Sequence, residues 1–410
     1  MTEARVIGAG LSGLATAWYL TEGGARVHVF EAAGSAGGLI HTLRTAEGLV
    51  ETAAPAFTSS DRVLALFSSA GVEACVPNPA ATKRYIFRGG RPRRWPLSPV
   101  ETSATLLRLG TAWISRRHRP RGDESLGEWG NRVLGRSAVE WLLAPVAGIY
   151  AASPDALSAV AVLGGRRRGG TRISPRRGMQ ELVDRLVETL GGRGVRFSFN
   201  ERVTALDPSV PTAICTEAPA AAALLQSHAP RLAVALDRIR MVSLITVTAF
   251  FQPSANDLRG GGVLFPRSSK VGALGVLFNT DVFPDRSHLW SETWIYRDPS
   301  SRAVASEYSV EAGFSRPDVV DEEDFRRRLQ ADRAVLTGRA ERPVALYITP
   351  RPNALPLYDV AVLRAAAAVE ELPPTLALAG NYLGSMGVSR LVDGGAAAAA
   401  RLLRVHGVRA

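Results

Sequence analysis

The chain has 410 residues, 46% hydrophobic and 21% charged, which suits a folded protein of two or three domains and excludes a disordered one. Two cysteines, Cys75 and Cys215, stand far apart with no C-x-x-C, and the six histidines show no metal-ligand spacing. That excludes a zinc cluster and a disulfide framework, so no metal is expected and a reducing compartment is the default. The longest apolar run, 242–251, is too short to span a bilayer, and the first strand starts too early to leave room for a cleavable leader. The net charge of +11 is unevenly spread: residues 83–121 hold eleven Lys or Arg against a single acid, Glu101. Residues 166–177 add six arginines and no acid. Such local basic surfaces point to an anionic partner.

In chain order, the first predicted element is a strand at 5–7. It runs into Gly8-Ala9-Gly10-Leu11-Ser12-Gly13, a G-x-G-x-x-G, and then a helix that ends after Glu22 at Gly23 and Gly24. A second strand, 25–30, ends on Glu31. The glycine pattern alone is weak, but strand, loop, helix, strand and acid in order within about thirty residues supply the context of a dinucleotide fold. The glycines allow a tight turn and bring a pyrophosphate to the helix N-terminus. Glu31 is placed to accept from a ribose hydroxyl.

A second pair, Gly37-Gly38, follows at once. It resembles the extension in FAD proteins of the amine-oxidase superfamily, although Ser35-Ala36 stand where an arginine is usual. The resemblance implies FAD rather than NAD.

Further along, 49–60 reads as a strand and turn, with Asp61 as the cap of a helix over 62–69. Residues 85–91 look like a hairpin, and Pro92, Pro96 and Pro99 mark a boundary. Helical periodicity fills 100–161, with Leu106, Leu107, Trp113 and Ile114 on a face beside Arg108, Arg116 and Arg117, and with Asp123 or Ser125 as a later cap. A Gly- and Arg-rich linker leads to an amphipathic helix at 179–190, strands at 195–199, 202–206 and 212–215, and a helix at 218–228. Strand patterns fill 243–312, a charged helix runs over 321–336 to Gly338, and strands at 344–348 and 375–379 enclose a helix at 362–370. The chain closes on a helix at 391–403.

This order predicts an α/β protein. A Rossmann-like FAD-binding domain of amine-oxidase type would comprise 1–75, 178–240 and 341–410, with a β-rich substrate domain (76–92 and 241–340) and a helical, basic, membrane-associating domain (93–177) inserted into it.

Four blocks carry a likeness over nearly the whole length. They are DESLGEWGNRVLG with LLAPVAGIYAASPDALS, SPRRGMQELVDRL, GGVLFPRSSKVGALGVLFNTDVFPDR, and ALPLYDVAVLRA with LALAGNYLGSMGVSRLVDGG. In this order the chain resembles the oxygen-dependent protoporphyrinogen oxidase family. The resemblance implies that Gly8, Ala9, Gly10, Leu11, Ser12 and Gly13 hold the pyrophosphate, that Glu31 and Ala32 meet the adenosine ribose, and that Val203 meets the adenine through its backbone. Gly38 and Leu39 would lie near the flavin, the backbone of Met386, Gly387 and Val388 would contact its ring, and Gly272 and Leu274 would line the substrate pocket. No catalytic side chain is implied. The implied activity is oxidation of protoporphyrinogen IX or coproporphyrinogen III to the porphyrin in haem biosynthesis, with oxygen as acceptor. The implied location is cytoplasmic, peripheral to the anionic inner face of the cell membrane, and a homodimer is left open. The alternative is a related flavin oxidoreductase acting on an amine or a natural-product precursor. Nucleic acid is not expected, because the basic segment carries no binding motif or aromatic platform.

The main departure is at Glu51-Thr52-Ala53-Ala54-Pro55, where the family places a propionate-binding arginine at the position of Pro55. Proline cannot bind a carboxylate, so the role is lost or passes to another arginine such as Arg44 or Arg84.

Overall fold

In the computed structural model, residues 3–164, 170–253, 257–298, 321–384 and 386–405 are described. Five short parallel strands form the first sheet, in the spatial order Arg196–Ser198, Arg26–Phe30, Glu3–Ile7, Thr212–Ile214 and Leu376–Leu378. Their side chains alternate between two cores. Val6, Val27, Val29 and Ala213 face the opening helix Leu11–Glu22 and the closing helix Val388–Val405, whereas Ile7, Ile214, Leu376 and Leu378 face helices Ala218–Leu225, Pro230–Asp237 and Val360–Ala368. A sheet covered on both faces needs such apolar strands. The strand order reverses direction between Glu3–Ile7 and Thr212–Ile214, and the crevice at the C-terminal ends of strands at such a reversal is where ligands bind.

The second sheet has seven strands, in the order Ala345–Pro356, Met241–Phe251, Trp290–Arg297, Gly275–Phe278, Gly262–Leu264, Arg84–Arg88 and Arg91–Arg93. One face is sealed: Ile245, Val247, Ala249, Phe251, Trp290, Trp294 and Tyr296 pack against Phe325, Leu329 and Leu336 of helix Glu322–Thr337. Between these layers Glu292 and Arg333 are both fully buried, and the Glu292 carboxylate accepts from the indole N–H groups of Trp290 and Trp294 at 2.7 and 2.9 Å. The helical part includes Pro99–Ile114 and Leu126–Val133, each opened by a capping box, Ser98 with Glu101 and Ser125 with Glu128. No helix among the described residues is long and apolar enough to cross a membrane. Cys75 and Cys215 are both free thiols.

Several sequence expectations need correction. Ser60, not Asp61, caps helix Asp61–Ser69. Residues 202–206 form no strand, because the sheet already ends at Arg196–Ser198 and the chain turns back there, with the Glu201 N–H on the Glu31 carbonyl at 2.9 Å. Part of the expected linker is strand Arg172–Pro175, which pairs with Phe57–Thr58 and with Ala74–Cys75. Strand Ala345–Pro356, grouped from sequence with the FAD domain, pairs along Met241–Phe251 and belongs to the second sheet. Arginines 166–168 and the expected strand at 299–312 lie outside the described residues.

The opening and closing helices touch backbone to backbone at Gly395, where a Cβ would come 2.8 Å from the Ser12 carbonyl oxygen and 2.9 Å from the Thr16 nitrogen. Backbone atoms cannot retreat as a flexible side chain can, so Gly395→Val should be strongly destabilising, by at least about 3 kcal/mol, in the range of severe overpacking. Thermal unfolding followed by circular dichroism checks this, and a melting temperature unchanged from that of the unsubstituted protein would contradict the packing.

Candidate functional site

The glycines of the first loop answer three different demands. Gly8 has φ +102°, and a Cβ there would stand 2.7 Å from the Cys215 carbonyl oxygen across the strand reversal. A Cβ on Gly13 would fall 1.8 Å from the Gly8 oxygen. Gly10 differs: its φ is an ordinary −68°, and a Cβ there meets nothing within 4 Å. The protein itself therefore does not require glycine at position 10, and the space beside it is what a bound group would fill.

That space lies at the N-terminus of helix Leu11–Glu22. The helix has no side-chain cap and no acid in its first turn, so its leading N–H groups and its dipole are available to an anion. Glu31 sits beside the same loop, its carboxylate accepting from the Ala9 N–H at 2.7 Å and the Ala33 N–H at 2.8 Å. These two bonds fix the carboxylate and leave lone pairs for a ribose hydroxyl. The second glycine pair lies directly on the first: the Gly37 N–H donates to the Ala9 carbonyl at 2.9 Å, and a Cβ on Gly38 would be 3.4 Å from the Gly10 Cα. Leu39 follows, partly exposed. Two loops far from side-chain chemistry thus form one concave, backbone-lined cradle suited to a dinucleotide.

Val203 is half-buried on the second core of this domain, two residues beyond the Glu201–Glu31 backbone bond, which keeps it on the Glu31 side of the cradle. Met386, Gly387 and Val388 lead into the closing helix, where Gly387 has φ +144° and its carbonyl accepts from the Arg390 N–H at 2.9 Å. Gly395, two turns into that helix, rests on Ser12 and Thr16, so the closing helix passes beside the start of the opening one. Most of the sequence-designated cofactor positions are therefore brought together around one cradle.

The open face of the seven-stranded sheet is the other half of the site. Pairing places Arg297, Leu244 and Arg351 in one cross-strand row, then Gly275, Ile295, Thr246 and Thr349, then Leu277, Thr293, Thr248 and Tyr347. Leu264 and Ile86 continue it toward the hairpin. Directly paired residues share a face, and most of these are half-buried, unlike their neighbours on the sealed face. Not one residue of these rows is an acid or a histidine. The face is closed in from two sides. Tyr347 donates to Glu47 at 2.7 Å and the Arg351 Nε to the Thr52 carbonyl at 2.9 Å, while Arg297 donates to the Ala151 carbonyl at 2.6 Å. The result is a wall of mixed apolar, hydroxyl and arginine side chains between the second glycine loop and the helical part.

The two pocket residues expected from sequence separate here. Leu274 packs half-buried toward the open side, its N–H on the Ile295 carbonyl at 2.8 Å. Gly272 turns the other way, its N–H on the Asp332 carboxylate at 2.9 Å. Burial pushes the Asp332 pKa up, and its hydrogen bonds from the Gly272 and Ala273 N–H groups act in the opposite direction. Pro55 is fixed through its carbonyl, which accepts from Ser174 at 2.7 Å. Sequence reading missed the Arg297–Leu244–Arg351 row, because the register that assembles it has no local signal. No group of acids, histidines or cysteines among the described residues is arranged to hold a metal.

Comparison with known proteins agrees with this geometry. Residues 11–289 match the model of the family described as flavin containing amine oxidoreductase. Among curated proteins, the chain is 26% identical to protoporphyrinogen oxidase 2, chloroplastic/mitochondrial, of Arabidopsis thaliana, over 96% of this chain and 92% of that one. It is also 26% identical to coproporphyrinogen III oxidase of Propionibacterium freudenreichii subsp. freudenreichii, over 93% and 87%. Among solved structures, a protein of Exiguobacterium sp. 255-15, provisionally assigned as a protoporphyrinogen oxidase, superposes with a TM-score of 0.80 at 18% identity, covering 98% of this chain and 99% of the other.

The three glycines should separate on substitution. Gly10→Val should fold normally yet emerge colourless, because the valine fills ligand space only. Gly13→Val should fail to accumulate as folded protein, because its side chain overlaps the Gly8 carbonyl. Absorbance at flavin wavelengths together with circular dichroism distinguishes the two, and a yellow Gly10→Val protein would refute the cradle.

Proposed function

The chain belongs to the flavin-containing amine oxidoreductase family, and we propose that within it the molecule oxidises a porphyrinogen to the corresponding porphyrin, with oxygen as the terminal acceptor. It is an FAD-dependent oxidoreductase. In this reading residues 8–13 hold the pyrophosphate, Glu31 and Ala32 the ribose, and the backbone of Val203 the adenine. Gly38, Leu39 and residues 386–388 surround the flavin ring. Bound FAD supplies two-electron acceptance from a C–H bond, which no side chain provides. The wall of Leu244, Ile295, Leu277, Leu264 and Leu274 holds the planar ring system and excludes water, with Gly272 shaping the loop behind Leu274.

The single observation that supports the porphyrinogen over other substrates is the absence of acids and histidines from every row of the open face. Hydride loss from a bridging CH2 of a porphyrinogen is assisted by the flanking pyrrole nitrogens, so the protein needs to orient the ring and need not supply a base. Arginines and threonines among the apolar residues suit a flat substrate with carboxylate arms.

The basic helical part gives a second element of the reading. On helix Pro99–Ile114, Val100, Leu106, Leu107, Trp113 and Ile114 are 61–88% exposed, and Trp95 beside it is 55% exposed. These positions follow helical spacing, with Arg108, Arg116 and Arg117 around them. An apolar stripe edged with arginines suits an anionic lipid surface, where each cation adds about 1 kcal/mol. We place the protein as a peripheral visitor to such a surface.

Two experiments follow. Aerobic turnover of protoporphyrinogen IX and coproporphyrinogen III, monitored by product fluorescence, should proceed with kcat/KM values within a hundredfold of each other. Pro55→Arg should widen the ratio, since a charge-assisted hydrogen bond of about 1.5–3 kcal/mol corresponds to one or two decades. No turnover of either substrate would reject the porphyrinogen reading. In sedimentation, the protein should pellet with vesicles containing anionic lipid and not with neutral ones, and should be released by salt. Leu107→Asp with Ile114→Asp should abolish pelleting; equal behaviour with both kinds of vesicle would reject the membrane surface.

A further inference from the structure

We propose that Arg351 is the carboxylate anchor of the cleft, receiving one carboxylate arm of the substrate in place of the side chain that Pro55 cannot supply. The inference rests on the porphyrinogen reading. Arg351 lies in the outermost row of the open face, level with Leu244 and Arg297. Its Nε donates to the Thr52 carbonyl at 2.9 Å, in the same segment as Pro55. Thr52 is itself tied through its hydroxyl to the His41 carbonyl at 2.7 Å, which joins this segment to the chain leaving the second glycine loop. The guanidinium is therefore held where the cleft meets the cofactor cradle.

Its remaining donors are unspent. Among the described residues the two terminal amino groups of Arg351 have no hydrogen-bond partner, and no carboxylate forms an ion pair with it. Burial pushes its pKa down, and no neighbouring charge opposes that. A half-buried cation without an acid costs free energy in the empty protein, whereas a carboxylate docked across the two free amino groups would satisfy it in a fork geometry. The local backbone holds this arrangement in place. The register of strand Ala345–Pro356 against Met241–Phe251 breaks just beyond Arg351, and Asn353 adopts φ +50°, its N–H on the Ser243 hydroxyl at 3.2 Å. Bulges of this kind re-aim side chains beside functional sites.

Arg297, in the same row, donates to the Ala151 carbonyl at 2.6 Å on the helical side, and the remaining arginines nearby are placed differently. Arg88 is bound in a fork to Glu101 at 2.7 and 2.9 Å, and Arg286 is buried on Ser174, Pro175 and Glu51. The two raised from sequence do not fit either. Arg44 is exposed and donates to the Arg177 carbonyl, and Arg84 is exposed beside Arg172.

The test uses the flavin-loaded protein and a stable probe, protoporphyrin IX as the free dicarboxylic acid and as its dimethyl ester, with binding followed by fluorescence. The unsubstituted protein should bind the acid about ten- to a hundredfold more tightly than the ester. R351A should erase that preference by weakening the acid alone, with flavin content unchanged. R351Q retains a donor for Thr52 while removing the charge, and it decides the matter if R351A does not fold. R351K should keep part of the preference. In turnover the loss should fall on KM and leave kcat nearly unaffected. A preference that survives in R351Q, or an unsubstituted protein that binds acid and ester equally, overturns the anchor and leaves the porphyrinogen reading standing. An unsubstituted protein that binds neither overturns both.

Discussion

Everything else in this molecule depends on backbone packed against backbone at the strand reversal of the first sheet. Gly8 against Cys215, Gly13 against Gly8, Gly37 against Ile40 and Gly395 against Ser12 are all contacts that leave no room for a side chain, and the Gly37 N–H ties its loop to the Ala9 carbonyl. Each contact restricts the next. Strand Glu3–Ile7 lies close enough to Thr212–Ile214 to form the crevice, the opening helix starts inside it, and the closing helix and second glycine loop cover its sides. Backbone amides and helix dipoles positioned in this way cannot reorient, which suits the cradle to an anionic dinucleotide.

The second sheet achieves rigidity by the opposite means, with large side chains on one face only. Helix Glu322–Thr337 seals that face, and the buried Glu292–Arg333 pair is completed by two tryptophan indoles and by Glu341, whose carboxylate lies 3.0 Å from Arg333. Removing one member of such a group would leave a bare charge in the interior. The sealed face thereby backs a wall whose other face is free to carry chemistry. The acid of the strands, Glu292, lies on the sealed side, and the open side keeps leucines, isoleucine, threonines and arginines. The division lets a fixed cofactor cradle serve whichever substrate the wall selects.

The helical part is organised by its caps. Ser98 with Glu101 and Ser125 with Glu128 fix where two helices begin, and Glu101 also holds Arg88 of the sheet hairpin, which keeps its carboxyl pKa down at about 2. This links the basic helix to the wall of the cleft. The helix proposed to meet lipid and the cleft proposed to take the substrate are thereby joined through one ion pair.

The sequence by itself determined what depends on neighbours in the chain. The glycine pattern with Glu31, the hairpin at 85–91, a cap at Asp123 or Ser125, the helix running to Gly338 and the closing helix were all legible, because turn strain, capping and periodicity act over a few residues. The anomaly at Pro55 was legible for the same reason. Tertiary structure alone decided that a side chain at Gly10 would meet no protein atom while one at Gly13 would, that 172–175 is a strand and 202–206 is coil, and that Ala345–Pro356 joins the second sheet. It also decided which way Gly272 and Leu274 part, and that Arg351 stands beside Leu244, Arg297 and the Thr52 carbonyl. Strand register and the meeting of distant segments follow from the burial of whole faces, and no local run of residues encodes them.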